Sequence, residues 1–183
     1  GSKLDHTSLR KIKKLVKHRK LLKVTAVSML MELVDATTLD QKLPRNHIQA
    51  VDIFLQIAEG LSHMHGRGFV HADMKPNNVL VDESGRVKII DLGQACAIGT
   101  IKKRIQGTPG YMAPEQAHRG EITAKTDIYN LGAMMYWVLG VTACSSSSEV
   151  DFSQCELLDY EQSLGIASVS DSSILLKSVD SRS

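Results

Sequence analysis

The stretch that decides the fold of this chain is His71-Ala72-Asp73-Met74-Lys75-Pro76-Asn77-Asn78-Val79-Leu80. It places an acid, a base and an amide in one short loop, and an apolar run follows at once. The Asp73 carboxylate can accept a proton from a hydroxyl group, and the Lys75 ammonium can hold a phosphoryl oxygen. The side-chain oxygen of Asn78 can bind a divalent metal ion. The stretch therefore indicates a loop suited to chemistry at a phosphoryl group.

A second acidic motif, Asp91-Leu92-Gly93, lies a short distance downstream. Between the two motifs, the apolar runs 79–81 and 87–90 are separated by a turn that contains glycine, which predicts a β-hairpin. The hairpin would present Asn78 at one end and Asp91 at the other. Two oxygen-bearing side chains that are distant in sequence would thereby reach one side of a small sheet.

Two further motifs follow in order. The first is Gly107-Thr108-Pro109-Gly110-Tyr111-Met112-Ala113-Pro114-Glu115, and the second is Asp127-Ile128-Tyr129-Asn130-Leu131-Gly132. The second motif begins an apolar stretch that predicts a helix to about Leu139. Together the four motifs resemble the catalytic loop, metal-binding loop, activation-segment end and central helix of serine/threonine protein kinases. The resemblance runs from about Leu9 to Leu139.

This resemblance implies an α+β fold, namely the mostly helical large lobe of a protein kinase with a remnant of the small lobe. Residues 1–34 would form part of the small lobe and the hinge, and residues 35–140 part of the large lobe. Residues 141–183 are rich in serine and acids and predict a disordered tail.

The resemblance also implies roles for individual residues in a transfer of the ATP γ-phosphate to serine or threonine hydroxyls of proteins. Asp73 would orient and deprotonate the hydroxyl, Lys75 would neutralise the phosphate, and Asn78 and Asp91 would bind Mg²⁺. Lys75 together with Thr108 favours serine and threonine over tyrosine. The ATP-binding residues would be the gatekeeper Met31, the hinge residues Glu32, Leu33 and Val34, and Leu80.

Supporting roles follow from the same family pattern. Thr108 would hydrogen-bond the catalytic acid and lysine, and Asp127 would hold the backbone of the catalytic loop. Thr100 is a candidate phosphorylation site, whereas Glu115 has no visible arginine partner. His71 would pack beneath the metal-binding loop, with Leu92 stacked beside it, and Gly93 would be a further structural residue of that loop.

Upstream of the motifs, local patterns predict the remaining elements. Apolar residues at helical spacing predict a helix over 8–24, and the apolar stretch 24–34 predicts a strand. Pro44-Arg45-Asn46 opens a long helix that reaches His65. Its core stripe is predicted to be Ile48, Val51, Leu55, Ala58 and Leu61, widened by Phe54, Ile57 and Met64. Gly66-Arg67-Gly68 would end this helix with left-handed backbone, 69–70 would be extended, and 94–106 would be a loop.

Composition and charge limit the classes of partner and the location expected for this chain. The chain has 183 residues, 43% of them hydrophobic, and a net charge of +2. Lysines and arginines cluster between residues 11 and 23 without interleaved aromatics, so we predict a solvated basic face and no nucleic-acid partner. No apolar run reaches the length that spans a bilayer. Three scattered cysteines predict free thiols in a reducing compartment. The absence of targeting signals predicts a cytoplasmic location, with a membrane-anchored parent protein as the alternative.

Three departures from the family pattern shape the expectations. No Gly-rich loop or strand-borne lysine precedes the motifs, and no glutamate precedes Glu32, so we expect this stretch alone to be inactive. Ala72 stands where the family most often has arginine, which predicts weak dependence on activation-loop phosphorylation. The later helices of a large lobe are not visible, so Trp137 is expected to be exposed and the chain to be marginally stable.

Two alternatives to a kinase remain open at this point. A pseudokinase or truncated interaction module would explain the missing lysine and glutamate, but it would not explain the presence of Asp73, Lys75, Asn78 and Asp91. A small-molecule phosphotransferase shares the His-x-Asp pattern and the following asparagine. The segment 107–115 argues against that second alternative.

Overall fold

The structure is a computed structural model that describes residues 4–20 and 23–146, with the backbone alone for 141–146. The strands are β1 (Ile12–Lys20), β2 (Lys23–Met31), β3 (Thr37–Thr38), β4 (Phe69–Val70), β5 (Val79–Val81), β6 (Val87–Ile89), β7 (Cys96–Ala97), β8 (Thr100–Ile101) and β9 (Glu121–Ile122). The helices are α1 (His47–His65), α2 (Pro114–Ala117) and α3 (Ala124–Ser146). This mixture of helices and strands agrees with the predicted α+β class.

The predicted β-hairpin is confirmed as β5 and β6, which pair antiparallel with Val79 opposite Ile89. Strand β3 adds to the free edge of β5, which completes a three-stranded sheet in the order β3-β5-β6. Past the end of the ladder, the N–H of Ile90 donates to the carbonyl oxygen of Asn78 at 2.9 Å. This bond brings the residue before Asp91 against Asn78, so the two predicted metal ligands are neighbours in space.

The long helix predicted after residue 44 is confirmed as α1. Asn46 is its N-cap, with the side chain accepting a hydrogen bond from the N–H of Gln49 at 2.9 Å. At the other end, Gly66 has right-handed backbone, and the left-handed glycine is Gly68 with φ +80°. The prediction of left-handed backbone therefore holds two residues beyond the cap.

The predicted core stripe of α1 is wrong in three of its eight members. Ile48, Val51 and Leu55 are 76%, 56% and 54% exposed. The buried face instead consists of Ala50, Ile53, Phe54, Ile57, Gly60, Leu61 and Met64. Apolar residues occupy two sides of this helix, and the contacts with α3 and β6 decide which side is covered.

The core lies between α1, α3 and the β5–β6 hairpin. Its fully buried members include Ile57, Met64, Val79 and Met134. Gly60 permits the closest approach of α1 to β6, since a Cβ there would lie 3.0 Å from Cδ1 of Ile89. The catalytic loop follows β4 directly, and β4 contacts α1 and α3. The core elements therefore fix where the loop begins.

The helix predicted over 8–24 is wrong. Residues 12–20 form β1, which pairs antiparallel with β2 from Ile12 opposite Met31 to Lys20 opposite Lys23. Both faces of this ribbon are largely exposed. A strand covered on neither face needs no alternation of apolar and polar residues, so the helical spacing of a few apolar residues misled the prediction. The predicted strand over 24–34 is confirmed over most of its length by β2.

Smaller differences concern the second half of the chain. Helix α3 begins three residues before Asp127 and continues to Ser146, beyond the predicted end near Leu139. The predicted loop 94–106 contains the short strands β7 and β8. Trp137 is half-buried against the core, whereas its neighbour Tyr136 is 58% exposed. The part of the predicted tail from residue 147 onward lies outside the described residues.

Among the described residues, no helix combines the length and apolar character needed to cross a bilayer.

The α1 face assignment predicts the outcome of two identical substitutions. Ile57 is fully buried and Ile48 is 76% exposed on the same helix. Ile57→Ala should lower the free energy of unfolding by about 2–5 kcal/mol because it leaves a cavity. Ile48→Ala should change it by less than about 0.5 kcal/mol. Urea titration followed by circular dichroism measures both, and equal losses would contradict the assignment.

Candidate active site

The loop that carries the predicted catalytic residues is anchored by Asp127 in the first turn of α3. The Asp127 side chain is fully buried, and its Oδ1 accepts a hydrogen bond from the N–H of Ala72 at 2.8 Å. Its Oδ2 accepts from the N–H of His71 at 2.9 Å and lies 2.8 Å from Nε2 of His65. One carboxylate thus joins the catalytic loop, α1 and α3.

Ala72 occupies the left-handed region, with φ 61°, and is fully buried. A non-glycine residue stays in this conformation only when its surroundings enforce it. Here Asp127 holds the N–H of Ala72, and Nε2 of Gln116 donates to its carbonyl oxygen at 2.9 Å. The bend at Ala72 turns the chain so that the next residue, Asp73, faces the activation segment.

His71 connects the catalytic loop to the metal-binding loop. Its Nδ1 accepts from the N–H of Asp73 at 3.3 Å, and its Nε2 donates to the carbonyl oxygen of Ile90 at 3.1 Å. One accepting and one donating nitrogen define a neutral imidazole. Burial lowers the pKa of His71, although the nearby Asp127 carboxylate opposes that shift. His71 is therefore a neutral spacer between the two loops.

Asp73, Lys75 and Thr108 form a single hydrogen-bonded group. The Lys75 ammonium donates to Oγ1 of Thr108 at 2.9 Å, and that hydroxyl donates to Oδ1 of Asp73 at 2.8 Å. The ammonium lies 3.5 Å from Oδ2 of Asp73. The three side chains come from two segments more than thirty positions apart. Both charged groups keep part of their surface accessible, at 24% for Lys75 and 12% for Asp73.

Asn78 contacts this group, and Asp91 follows Ile90, whose N–H is bonded to the carbonyl oxygen of Asn78. Nδ2 of Asn78 donates to the carbonyl oxygen of Asp73 at 2.8 Å, which leaves its Oδ1 available as a ligand. Asp91 has left-handed backbone, and its Oδ1 accepts from the N–H of Gly93 at 3.1 Å. Leu92, between them, packs against the core. Oxygen donors of this kind fit Mg²⁺.

The described part of the chain contains no group of three or more His, Cys, Asp or Glu side chains that could enclose a metal ion. If Asn78 and Asp91 bind Mg²⁺ as predicted, they would supply only part of its ligand shell. Phosphate oxygens and water would have to complete it, which is the usual way in which Mg²⁺ is held beside a nucleotide.

The hinge residues differ in how their peptide groups are used. The N–H of Glu32 donates to the carbonyl oxygen of Lys11 at 2.9 Å, and its carbonyl oxygen accepts from Nε of Arg10 at 3.1 Å. Within the described residues, the peptide groups of Leu33 and Val34 make no hydrogen bond. These two residues therefore offer free donors and acceptors where the resemblance implies the adenine.

The two remaining predicted nucleotide contacts lie on strands. Met31 ends β2 and is 37% exposed, and Leu80 is the half-buried middle residue of β5. Their contact with a nucleotide stays a prediction.

The predicted regulatory residues are engaged in local contacts. Thr100 lies on β8, and its hydroxyl donates to the carbonyl oxygen of Ala97 at 2.7 Å. Glu115 accepts a hydrogen bond from the hydroxyl of Thr126 at 2.6 Å. Glu115 thus ties α2 to the start of α3 without an arginine.

Sequence reasoning missed Gln116, the most connected side chain around the loop. It is 3% exposed, and its Nε2 donates to the carbonyl oxygens of Ala72 and Gln106. Its Oε1 accepts from the N–H of Ala113 and from Nδ2 of Asn130, both at 2.9 Å. No motif marks this position, because a single glutamine after Pro-Glu has no periodicity to reveal burial.

The position of the Gln116 side chain explains why residue 107 is a glycine. Gly107 has φ +140°, and a Cβ there would lie 2.9 Å from Nε2 of Gln116. Only glycine allows the activation segment to pass this close to the buried amide.

Comparison with known families bears directly on this arrangement. The sequence model of the protein kinase domain matches residues 2–177. The chain belongs to the protein kinase family. The matched region extends past residue 140, into the segment for which the sequence predicted a tail.

Individual relatives carry related names. The chain is 35% identical over 119 residues to the serine/threonine-protein kinase PrkC of Bacillus subtilis (strain 168), covering 61% of this chain and 18% of that protein. It is 34% identical over 122 residues to the serine/threonine-protein kinase PknB of Mycobacterium leprae, covering 61% and 19%. It is 36% identical over 141 residues to the cysteine-rich receptor-like protein kinase 42 of Arabidopsis thaliana, covering 66% and 22%. The chain spans about a fifth of the length of these relatives.

The contacts of Gln116 predict a large effect of removing its amide. Gln116→Leu keeps the volume but leaves the carbonyl oxygen of Ala72 and the N–H of Ala113 without partners. Each unsatisfied buried group costs about 1–3 kcal/mol, so thermal unfolding should occur at a clearly lower temperature. Gln41→Leu, at an exposed glutamine with no side-chain hydrogen bond, is the matched control. A Gln116→Leu protein that melts with the control would contradict this account.

The low pKa of His71 predicts a loss of stability on acidification. Below about pH 6.5, the unfolded chain takes up a proton at this position while the folded chain resists it. The stability contribution of neutral His71 is therefore present above that pH and is lost as the pH falls towards its folded pKa. The fall in urea midpoint from roughly pH 7.5 to roughly pH 5.5 should be smaller in His71→Gln than in the unsubstituted protein. An unchanged fall would exclude His71 as its source.

Proposed function

We propose that this chain is the catalytic region of a serine/threonine protein kinase, which transfers the γ-phosphate of ATP to serine or threonine hydroxyls of proteins. The observation that carries the proposal is the hydrogen-bonded group of Asp73, Lys75 and Thr108. Family membership and the names of the relatives support it.

The distribution of contacts on Asp73 suits the role of a base. Its Oδ1 is occupied by the hydroxyl of Thr108, whereas its Oδ2 has only the longer contacts of 3.5 Å to Lys75 and Asn78. The Oδ2 atom is therefore the one that accepts the proton of the substrate hydroxyl. Thr108 fixes the rotamer of Asp73, so the carboxylate is oriented before the substrate arrives.

Lys75 suits the role of a phosphate contact. Its ammonium shares Thr108 with Asp73, which keeps it within reach of the same acceptor hydroxyl. A cation at this point stabilises the negative charge of the transferred phosphoryl group.

ATP and Mg²⁺ are the cofactors that this proposal requires. The unpaired peptide groups of Leu33 and Val34 would bind the adenine edge, and Met31 and Leu80 would flank it. Asn78 and Asp91 would hold Mg²⁺, which neutralises phosphate charge when bound. The location stays the predicted one, the cytoplasm, and no nucleic-acid partner is proposed.

Phosphate transfer to separate acceptor peptides tests the proposal. The product of the complete gene is incubated with Mg²⁺, γ-labelled ATP and peptides that carry one serine, one threonine or one tyrosine. We expect label in the serine and threonine peptides. Asp73→Asn should reduce the rate about a hundredfold or more, since it removes the base, while Asp5→Asn, at an exposed carboxylate, should not.

Two substitutions at Thr108 distinguish a loss of side-chain positioning from a general loss of structure. Thr108→Ser keeps the bridging hydroxyl and should retain most of the rate. Thr108→Val has a similar shape without the hydroxyl and should lower kcat about tenfold or more with little change in the KM for ATP. Label that appeared in a small-molecule acceptor and in no peptide would contradict the proposal.

A further inference from the structure

Lys102 lies in the activation segment, and its ammonium contacts the metal-binding loop. Its Nζ donates to the carbonyl oxygen of Gln94 at 2.7 Å and lies 3.3 Å from Oε1 of the same residue. The side chain is half-buried, and its ammonium forms no ion pair with any carboxylate in the described part of the chain. Hydrogen bonds from a charged donor are stronger than those from a neutral one. Lys102 is therefore suited to holding Gln94 in place.

Gln94 ends a short 3₁₀ turn, Leu92–Gln94, that begins directly after Asp91. At the start of this turn, Oδ1 of Asp91 accepts a hydrogen bond from the N–H of Gly93 at 3.1 Å. A Cβ at Gly93 would lie 3.0 Å from that same oxygen, so the glycine leaves room for the carboxylate. The carboxylate of Asp91 is thus tied to the turn whose far end Lys102 holds.

Contacts along the intervening chain bring Lys102 back to Gln94. Strand β7 pairs with β4, and β8 pairs with β9. Gly99, with φ +87°, lies in the turn between β7 and β8. Across this turn, the hydroxyl of Thr100 donates to the carbonyl oxygen of Ala97 at 2.7 Å. Lys102 comes directly after β8, so the paired strands determine that its ammonium reaches Gln94.

His71 holds the other end of the metal-binding loop, because its Nε2 donates to the carbonyl oxygen of Ile90 at 3.1 Å. Asp91 therefore lies between two residues whose carbonyl oxygens are bound by side chains, Ile90 and Gln94. His71 is fully buried, so its substitution would disturb the core. Lys102 belongs to neither hydrophobic cluster, so removal of its ammonium leaves the core packing intact.

We propose that Lys102 is a positioning residue for the predicted magnesium site. Its ammonium fixes Gln94 and, through the short turn, holds the carboxylate of Asp91 where it would bind Mg²⁺ together with Asn78. As a cation, Lys102 is not itself a ligand of Mg²⁺, which takes oxygen ligands. Removal of a group that orients a metal ligand typically lowers metal affinity about 10- to 100-fold.

This support matters because Asn78 and Asp91 would supply only part of the ligand shell. When phosphate oxygens and water complete the shell, the two protein ligands account for the protein's direct hold on the ion. The inference rests on the proposed function for the nucleotide that brings those phosphate oxygens. It does not require phosphate transfer, so nucleotide binding and phosphate transfer can be measured separately.

The gain in nucleotide affinity that Mg²⁺ produces tests this role. The product of the complete gene is titrated with a fluorescent, non-hydrolysable ATP analogue, once with excess Mg²⁺ and once with EDTA. The Kd in EDTA divided by the Kd in Mg²⁺ measures the contribution of the metal. Lys102→Met retains the aliphatic side chain without the ammonium and should reduce this ratio about tenfold, while the Kd in EDTA stays unchanged. An unchanged ratio would overturn the proposal, as would a ratio near one in the unsubstituted protein.

Two matched variants separate this contact from a general effect of positive charge on nucleotide binding. Lys103→Met removes the neighbouring ammonium, which is exposed and has no ion pair or hydrogen bond with another described residue, and should leave the ratio unchanged. Lys102→Arg keeps a charged donor and should restore most of the ratio. Equal losses in Lys102→Met and Lys103→Met would contradict a specific role for the bond to Gln94.

Hydrogen exchange and kinetics complete the comparison. In Lys102→Met without nucleotide, amides of residues 92–96 should exchange faster, while those of residues 57–64 in α1 should not change. Faster exchange throughout the protein would instead indicate general damage and would overturn the positioning role. In phosphate transfer, the Mg²⁺ concentration for half-maximal rate should rise about tenfold, with the KM for ATP unchanged at saturating Mg²⁺. Absence of all phosphate transfer would contradict the proposed function and would not alter the binding ratio.

Discussion

The buried carboxylate of Asp127 is the interaction on which the rest of the site depends. A fully buried charge is costly unless hydrogen bonds replace its hydration. Here the backbone N–H groups of His71 and Ala72 and the ring of His65 supply that replacement. In return, the carboxylate holds Ala72 in left-handed backbone, a conformation that an alanine does not keep by itself. The direction of the catalytic loop therefore follows from one side chain on α3.

The side chain of Gln116 connects this anchored loop to the activation segment. That amide binds the carbonyl oxygen of Ala72 on one side and that of Gln106 on the other. Two residues beyond Gln106, Thr108 bridges Asp73 and Lys75. The geometry of the Asp73, Lys75 and Thr108 group is thus assembled from three segments that share buried hydrogen bonds. Buried hydrogen bonds of this kind restrict the positions of the side chains that share them, which suits the proposed reaction because it depends mainly on positioning.

The β5–β6 hairpin is held in place at both of its ends. Its open end brings Asn78 and Asp91 to the catalytic side, through the bond between Ile90 and Asn78. Its turn is fastened to α1 by the side chain of Gln56, which bonds the carbonyl oxygen of Gly85 and the N–H of Val87. The small sheet that carries the two predicted metal ligands is therefore held against α1.

The sequence by itself determined the family, α1 and the hairpin, because these depend on local patterns and on motifs with a fixed order. The same motifs supplied the predicted catalytic, metal-binding and anchoring residues. It did not determine β1, whose strand state arises from pairing with β2 and which leaves no alternating pattern while both faces are exposed. Nor could it decide which apolar side of α1 is buried, since Ile48 and Ile57 are equally hydrophobic and only the packing of α3 and β6 distinguishes them. The sequence did not reveal the burial of Gln116 for a related reason. The tertiary structure alone decides whether a polar side chain is buried, because burial and hydrogen-bond partners come from segments distant in sequence.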